Sequence, residues 1–199
     1  MFYEPGKRDR ALLPHEPFKA LVAPRPIGWV TTLDGAGRVN LAPYSYFNAF
    51  SDSPHIVGFS SHGRKHSLAN VEATGEFVCN LATWDLREAM NTTSASLPEG
   101  ASEMEAAGLE AAPSRMVAPP RVAASPWALE CKLLQIVALT ALDGKTGYYL
   151  VIGQVVGVHI DDRFVHQGRV DTAAMRPIAR AGYDEYAVME RAFRMTRPG

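Results

Sequence analysis

The sequence predicts a mainly β fold, an antiparallel barrel with a few short helices at its periphery, and three observations predict it. Short runs rich in β-branched and aromatic residues recur between clusters of turn-forming residues. Two of these runs, Trp127 to Leu142 and Tyr148 to Ile160, are long and are joined by Asp143-Gly144-Lys145-Thr146-Gly147, which makes a β-hairpin. The order of strands, a helix, a strand, an excursion and more strands lacks the repeated alternation of a doubly wound parallel sheet, so an antiparallel barrel accounts for it better.

From the N-terminus, Ile27 to Leu33 is a strand by its β-branched residues and Trp29. Asp34-Gly35-Ala36-Gly37 then turns the chain before Val39 resumes an extended course. Tyr44 to Phe50 and Ile56 to Ser60 are further short strands, parted by Ser51-Asp52-Ser53-Pro54. Residues 66 to 74, HSLANVEAT, suit a short helix that Gly75 ends in a left-handed conformation, and Phe77 to Leu81 follows as a buried strand. From Thr92 to Pro126 alanine, serine, proline and glutamate dominate, interrupted at Pro98, Gly100, Gly108, Pro113, Pro119, Pro120 and Pro126. That stretch admits only short helices, with Ser102 to Ala107 as the candidate. Its Met104, Leu109, Met116 and Val117 mark an excursion across a surface, over a partner subunit in one reading, and not a solvated tail. LECKLLQIVAL, inside the first arm of the long hairpin, also has a helical reading.

Composition narrows the function. A chain of 199 residues, 47% hydrophobic and 21% charged, is long enough to bury a sizeable core and to form one domain over residues 1–199. A formal net charge of −1 gives no field that would gather a polyanion, which argues against nucleic-acid binding. Cys79 and Cys131 are far apart in sequence and fit neither a disulfide framework nor a zinc spacing, so each is expected to be a small buried hydrophobe in a reducing compartment. Charges and prolines in MFYEPGKRDRALLPHEPFK stand where a secretory signal needs an apolar run, and no segment approaches the roughly 20 apolar residues of a membrane span. The expectation is a soluble, cytoplasmic protein, in which the Asn91-Thr92-Thr93 triplet is a chance match.

Several motifs fail on their context. Gly35-Ala36-Gly37-Arg38-Val39-Asn40 starts like a dinucleotide fingerprint, but Asn40 holds the third glycine position and no helical pattern follows. Gly144-Lys145-Thr146 resembles the end of a P-loop, yet the earlier glycine position is Leu139. His15, His55, His62, His66, His159 and His166 include no helical ligand pair with a third ligand, so no metal is expected. No nucleophile elbow or cysteine-nucleophile signature is present.

What remains is the run Ala23 to Ser61 with Arg64, Lys65 and Ser67, which combines aromatic surface, hydroxyls, amides and two cations beside a helix start. That set suits a flat, phosphorylated cofactor. The segments Ala23-Pro24-Arg25-Pro26-Ile27-Gly28-Trp29-Val30-Thr31-Thr32 and Asn40-Leu41-Ala42-Pro43-Tyr44-Ser45-Tyr46-Phe47-Asn48 resemble the flavin reductase-like family of FMN-binding split barrels. This group includes the reductase components of two-component flavin monooxygenases. The likeness continues through Arg64-Lys65-His66-Ser67, Phe77-Val78-Cys79-Asn80-Leu81, residues 102–109, residues 129–132 and residues 176–182, and so spans a core of about residues 20–187.

The resemblance implies a split, Greek-key-like β-barrel and a homodimer with FMN in a groove at or near the subunit interface. Ser60, Ser61, Arg64, Lys65 and Ser67 are the candidate phosphate contacts, with the first N–H groups of the helix adding an anion site. Trp29, Thr31, Thr32, Ser45, Tyr46, Phe47 and Asn48 are candidates for the flavin ring, with Asn80 and Leu81 nearby; alternation lets only some of them face it, and core packing competes for Tyr46 or Phe47. Arg180 and Tyr186 are contributors from the C-terminal tail. His159 is either a nicotinamide contact or a satisfied structural histidine. Two departures stand out: a Lys-Asp-Thr motif common in the family is Lys65-His66-Ser67 here, and a common paired glycine is Gly182-Tyr183.

The implied activity is hydride transfer from NADH or NADPH to flavin N5, with FMN, or alternatively FAD, carrying the chemistry. A separate flavin-dependent monooxygenase is the implied recipient of reduced flavin. The alternatives are a flavoprotein that keeps FMN and reduces another acceptor, and a non-catalytic FMN-binding or redox-sensing protein.

Overall fold

The computed structural model describes residues 1–95, 97 and 101–198; Pro98 and Gly100, two of the interruptions named above, lie outside them. After a short helix α1 (Phe18–Leu21) and the two-residue β1 (Arg25–Pro26), the chain forms β2 (Gly28–Leu33), β3 (Val39–Tyr44), β4 (Phe47–Asp52) and β5 (His55–His62). Helix α2 (His66–Thr74) leads to β6 (Glu76–Leu81), α3 (Arg87–Thr92) and α4 (Glu103–Ala106). The excursion carries the small ladder β7 (Ala111–Ala112) and β8 (Arg121–Val122) before the long β9 (Trp127–Thr140) and β10 (Thr146–Ile160). Beyond them lie β11 (Val165–His166), β12 (Arg169–Val170), β13 (Ile178–Arg180) and β14 (Tyr186–Val188).

Seven strands make the main sheet in the order β3-β2-β6-β9-β10-β5-β4, every neighbouring pair antiparallel. The edge strands β3 and β4 do not pair with each other, while β3 packs against β5, so the sheet curls without closing. This is the split barrel. Both readings of LECKLLQIVAL are resolved in favour of strand: β9 pairs with β6 on one side and β10 on the other.

One strand expectation needs correction, and one helix was not expected. The strand placed over Tyr44 to Phe50 is broken, because β3 ends at Tyr44 and β4 begins at Phe47 with a bend at Ser45-Tyr46. Helix α3 was not foreseen; its N-cap is Leu86 with no side-chain hydrogen bond, so the residues that advertise a helix start are missing. The helix over 66–74 stands as expected, and Gly75 ends it at φ 72°. The Gly35 region is a plain turn: Asp34 Oδ1 accepts from the N–H groups of Ala36 and Arg38, both at 2.9 Å.

Strand β2 is buried on both faces, which explains its continuous apolar and threonine run. Val30 joins Phe59, Leu68, Val71, Phe77 and Val151 inside the barrel. Trp29 points the other way, into a second core with Leu41, Met90, Met104, Val122 and Ile178 that seals the barrel against α3, α4 and β13. The two cysteines, remote in sequence, meet in the barrel interior, where burial, with Cys131 beside it, pushes the Cys79 thiol well above its ordinary pKa, and the Cys131 thiol donates to the Leu129 carbonyl at 3.5 Å.

Candidate functional site

The start of α2 is uncapped and opens onto a cleft. Lys65 occupies the N-cap in extended conformation without a side-chain cap, and the first turn carries no acid. The first intrahelical bond comes from Ala69 N–H to the Lys65 carbonyl at 3.0 Å. The N–H groups of His66, Ser67 and Leu68 therefore have no helical partner and point out of the helix end. Lys65 is exposed and forms no ion pair among the described residues. Arg64 is placed beside it by an ion pair to Glu72 and by the Tyr149 ring, whose centroid lies 5.4 Å from the guanidinium carbon.

A cleft of about 440 Å³ opens at this point, lined by Pro43, Tyr44, Lys65, Ser67, Ser94 and Glu103 among others. It shares Pro43 and Ser94 with a second hollow of about 260 Å³ that reaches Arg25, Ser45, Arg180 and Tyr186. The first cleft alone falls in the size range of small-molecule and cofactor sites. One end offers N–H groups and a free ammonium; the run toward Ser45 offers proline and aromatic surface. The bend at Ser45-Tyr46 supplies that wall, since it turns the chain out of the sheet between β3 and β4.

Behind the cleft lies a polar network. Asn40 donates to the Ser67 hydroxyl at 2.8 Å, and Asn70 donates to Thr32 Oγ1 at 3.0 Å. Burial pushes the Tyr44 phenol above its ordinary pKa, against the opposing effect of the Ser67 and Ser61 hydroxyls beside it. Ser67 is 1% exposed, so it offers a ligand its backbone N–H and holds the helix start with its side chain.

The structure sorts the other sequence candidates. Trp29, Thr31 and Asn80 are completely buried. Trp29 Nε1 donates to Thr93 Oγ1 at 2.9 Å, and Asn80 bridges strands by donating to the Trp29 carbonyl and to Thr31 Oγ1 while accepting from Val122 N–H. The side chains of Trp29 and Thr31, expected at the ring, and of Asn80, expected near it, therefore present no accessible surface to the groove. Thr32 and Leu81 are buried likewise. Phe47 packs on the barrel core, Tyr46 lies under Arg25, and Asn48 is exposed on β4 with its amide oxygen accepting from Ala49 N–H. Ser61 donates to the Gly63 carbonyl, whereas Ser60 Oγ is buried without a partner among the described residues. Ser45, Arg180 and Tyr186 line the second hollow together. Tyr183, where a glycine pair would continue, adopts φ 51°, in the left-handed region that a glycine enters without strain.

His159 lies elsewhere. Its Nε2 bonds to Glu130, a carboxylate with 0% exposure that also accepts from the N–H groups of Arg115 (2.8 Å), Met116 (2.5 Å) and Val117 (3.1 Å). Desolvation pushes the Glu130 pKa up, but the bonds from His159 and from the Arg115 and Met116 amides together hold it below the usual carboxylate range. His159 is thus paired with Glu130, a residue for which the sequence offered no role. A lone acid inside the apolar run WALECKLLQI was the available signal.

A split barrel whose α2 start opens unpaired N–H groups onto a groove is the class that fold and site define. Residues 21–173 match the model of the flavin reductase like domain, and the chain belongs to that family. Uncharacterized proteins of Halalkalibacterium halodurans and Bacillus subtilis are 37% and 33% identical to it, each match covering 89% of this chain and 87% and 89% of the relatives. Among solved structures, nitrilotriacetate monooxygenase component B from Bacillus cereus superposes with a TM-score of 0.89 at 28% identity, covering 98% of both chains. The 2-nitrobenzoate 2-nitroreductase of Pseudomonas fluorescens follows with 0.85 at 28%, covering 100% of this chain and 96% of that one.

Proposed function

We propose that this chain is an FMN-binding oxidoreductase, specifically an NAD(P)H-dependent flavin reductase, with the flavin phosphate at the start of α2 and the ring running toward Ser45. The observation that carries this reading is the uncapped helix start beside an unpaired Lys65 at the end of a groove of cofactor size. FMN, when bound, supplies hydride acceptance at N5, with NADH or NADPH as donor. The protein's own residues bind and orient. Lys65 and the amides of His66, Ser67 and Leu68 hold the phosphate, and the Glu72 and Tyr149 contacts keep Arg64 ready beside it. Pro43, Tyr44 and Ser45 give the ring one wall, and the segment after α3, at Thr93 and Ser94, covers it from water.

The same reading takes residues 1–199 as one cytoplasmic domain acting as a homodimer, with a flavin-dependent monooxygenase as recipient of the reduced flavin. A second subunit would cover the exposed Leu134, Leu139 and Leu142 near the hairpin tip. The similarity to a nitroreductase favours a second reading, in which FMN stays bound and another acceptor is reduced.

Two measurements test the proposal. Anaerobic stopped-flow mixing with NADH and with NADPH is expected to bleach the bound flavin with one of them; no bleaching with either removes the reductase reading. Lys65→Ala is expected to weaken FMN binding about tenfold, the scale of one charge-assisted contact, while riboflavin binding stays unchanged. An FMN affinity that does not move would place the phosphate elsewhere. Steady-state kinetics with added flavin separates a released substrate from a retained group.

A further inference from the structure

Beyond the flavin groove the surface continues into a larger hollow of about 600 Å³, which shares Met90, Asn91, Arg180 and Tyr186 with the hollow at Ser45. The two ends differ in chemistry. The end at Ser45 is lined by Lys19, Arg25 and Arg180 and by no acid. Arg25 is 6% exposed and has no carboxylate partner; its terminal nitrogens are taken by the carbonyls of Lys19, Val22 and Ala181, and its Nε is buried without a partner among the described residues. A buried guanidinium satisfied only by carbonyls keeps its whole positive charge. Arg180 bonds to the Tyr183 carbonyl and Lys19 forms no ion pair, so neither cation is neutralised by an acid among the described residues.

The far end is aromatic. Trp84, 38% exposed, and Tyr186, 41% exposed, flank one cavity over a floor of the buried Met90 and Ile178. Both rings are bordered by guanidinium groups, Trp84 by Arg87 at 4.2 Å and Arg176 at 5.4 Å from its centroid and Tyr186 by Arg180 at 4.5 Å, which adds positive charge around the space between them. The acids of this cavity, Glu88 and Asp184, are both exposed, which sets the polarity of any anionic occupant.

We propose that these joined hollows form a subsite for an aromatic carboxylate, with its carboxylate between Arg180 and Lys19 and its ring between Trp84 and Tyr186. Arg25 supplies fixed positive charge behind the carboxylate. The site rests on the flavin reading only for its position next to the ring; its own residues carry the rest.

The test is calorimetric titration of the full-length protein with benzoate, in the presence and absence of FMN, alongside benzamide and adenosine 2′,5′-bisphosphate. Saturable benzoate binding is expected, at least tenfold tighter than benzamide, and weakened about tenfold by Arg180→Gln and by Trp84→Leu. FMN titration of the same variants reads the flavin site independently, and Trp84→Leu is expected to leave it unchanged. Absent benzoate binding, binding indifferent to both substitutions, or preferential binding of the bisphosphate each overturns the proposal. Loss of FMN binding in the unaltered protein would overturn the flavin reading and leave the benzoate result standing.

Discussion

Glu130→Ala is expected to cost the fold about 3–5 kcal/mol, the scale found when one member of a buried, hydrogen-bonded ionic group is removed. Alanine would strand three backbone N–H groups, those of Arg115, Met116 and Val117, and would leave His159 without its partner. The carboxylate sits on β9 opposite Gly157, whose missing side chain leaves it room, since an added Cβ there would come within 3.2 Å of it. Urea unfolding followed by circular dichroism should show the lower midpoint; an unchanged midpoint would mean that the bonds contribute nothing net. The pH dependence has a defined sign. Because the folded-state pKa of Glu130 is lowered, its stabilisation is complete above the 4.5 of an ordinary glutamate and is lost as pH falls through the depressed value. Glu130→Gln, which keeps one acceptor, should lose less stability at neutral pH and show a flatter acid arm.

Phe77→Ala is expected to cost a similar 3–5 kcal/mol through the cavity left in the barrel. The ring is fully buried and meets Phe59 edge-on at 5.6 Å between centroids. The outer edge of the ring also lies against Gly153, where a Cβ would approach Cζ to 2.4 Å. Gly153→Ala alone should therefore destabilise by about 1–3 kcal/mol through overpacking. Combined with Phe77→Leu, which withdraws the ring, its cost should be clearly less than the sum of the two single changes. Strict additivity in urea midpoints would show that the two positions do not compete for the same space.

Much of the fold was legible because its signals are local. Gly75 ends α2 where its left-handed φ is needed, and Asp143-Gly144 turns the long hairpin with Gly144 at φ 82°. The break at Ser45-Tyr46 was not legible, since both residues sit inside a run that is β-prone on both sides and only the packing of Phe47 over Gly28 separates the strands. The candidate site was legible in kind more than in detail. Lys65 and the start of α2 stand open as the residue types suggested. Trp29 and Asn80 turned out to be core residues because a strand buried on both faces gives no pattern that says which side a ligand would take. Glu130 went unnoticed because its partners come from backbone amides of a segment whose course the sequence does not reveal.

The segment from α3 to β9 is tied to the barrel by the core residues Met90, Met104 and Val122 and by hydrogen bonds that include Trp29 to Thr93, Leu41 to Glu103, Asn80 to Val122, Glu76 to Ala118 and Glu130 to residues 115–117. Between such anchors the chain closes a loop, and closure entropy grows only logarithmically, by about 0.6 kcal/mol for a doubling of length. The barrel can stay constant while the neighbourhood of its ligand is rebuilt.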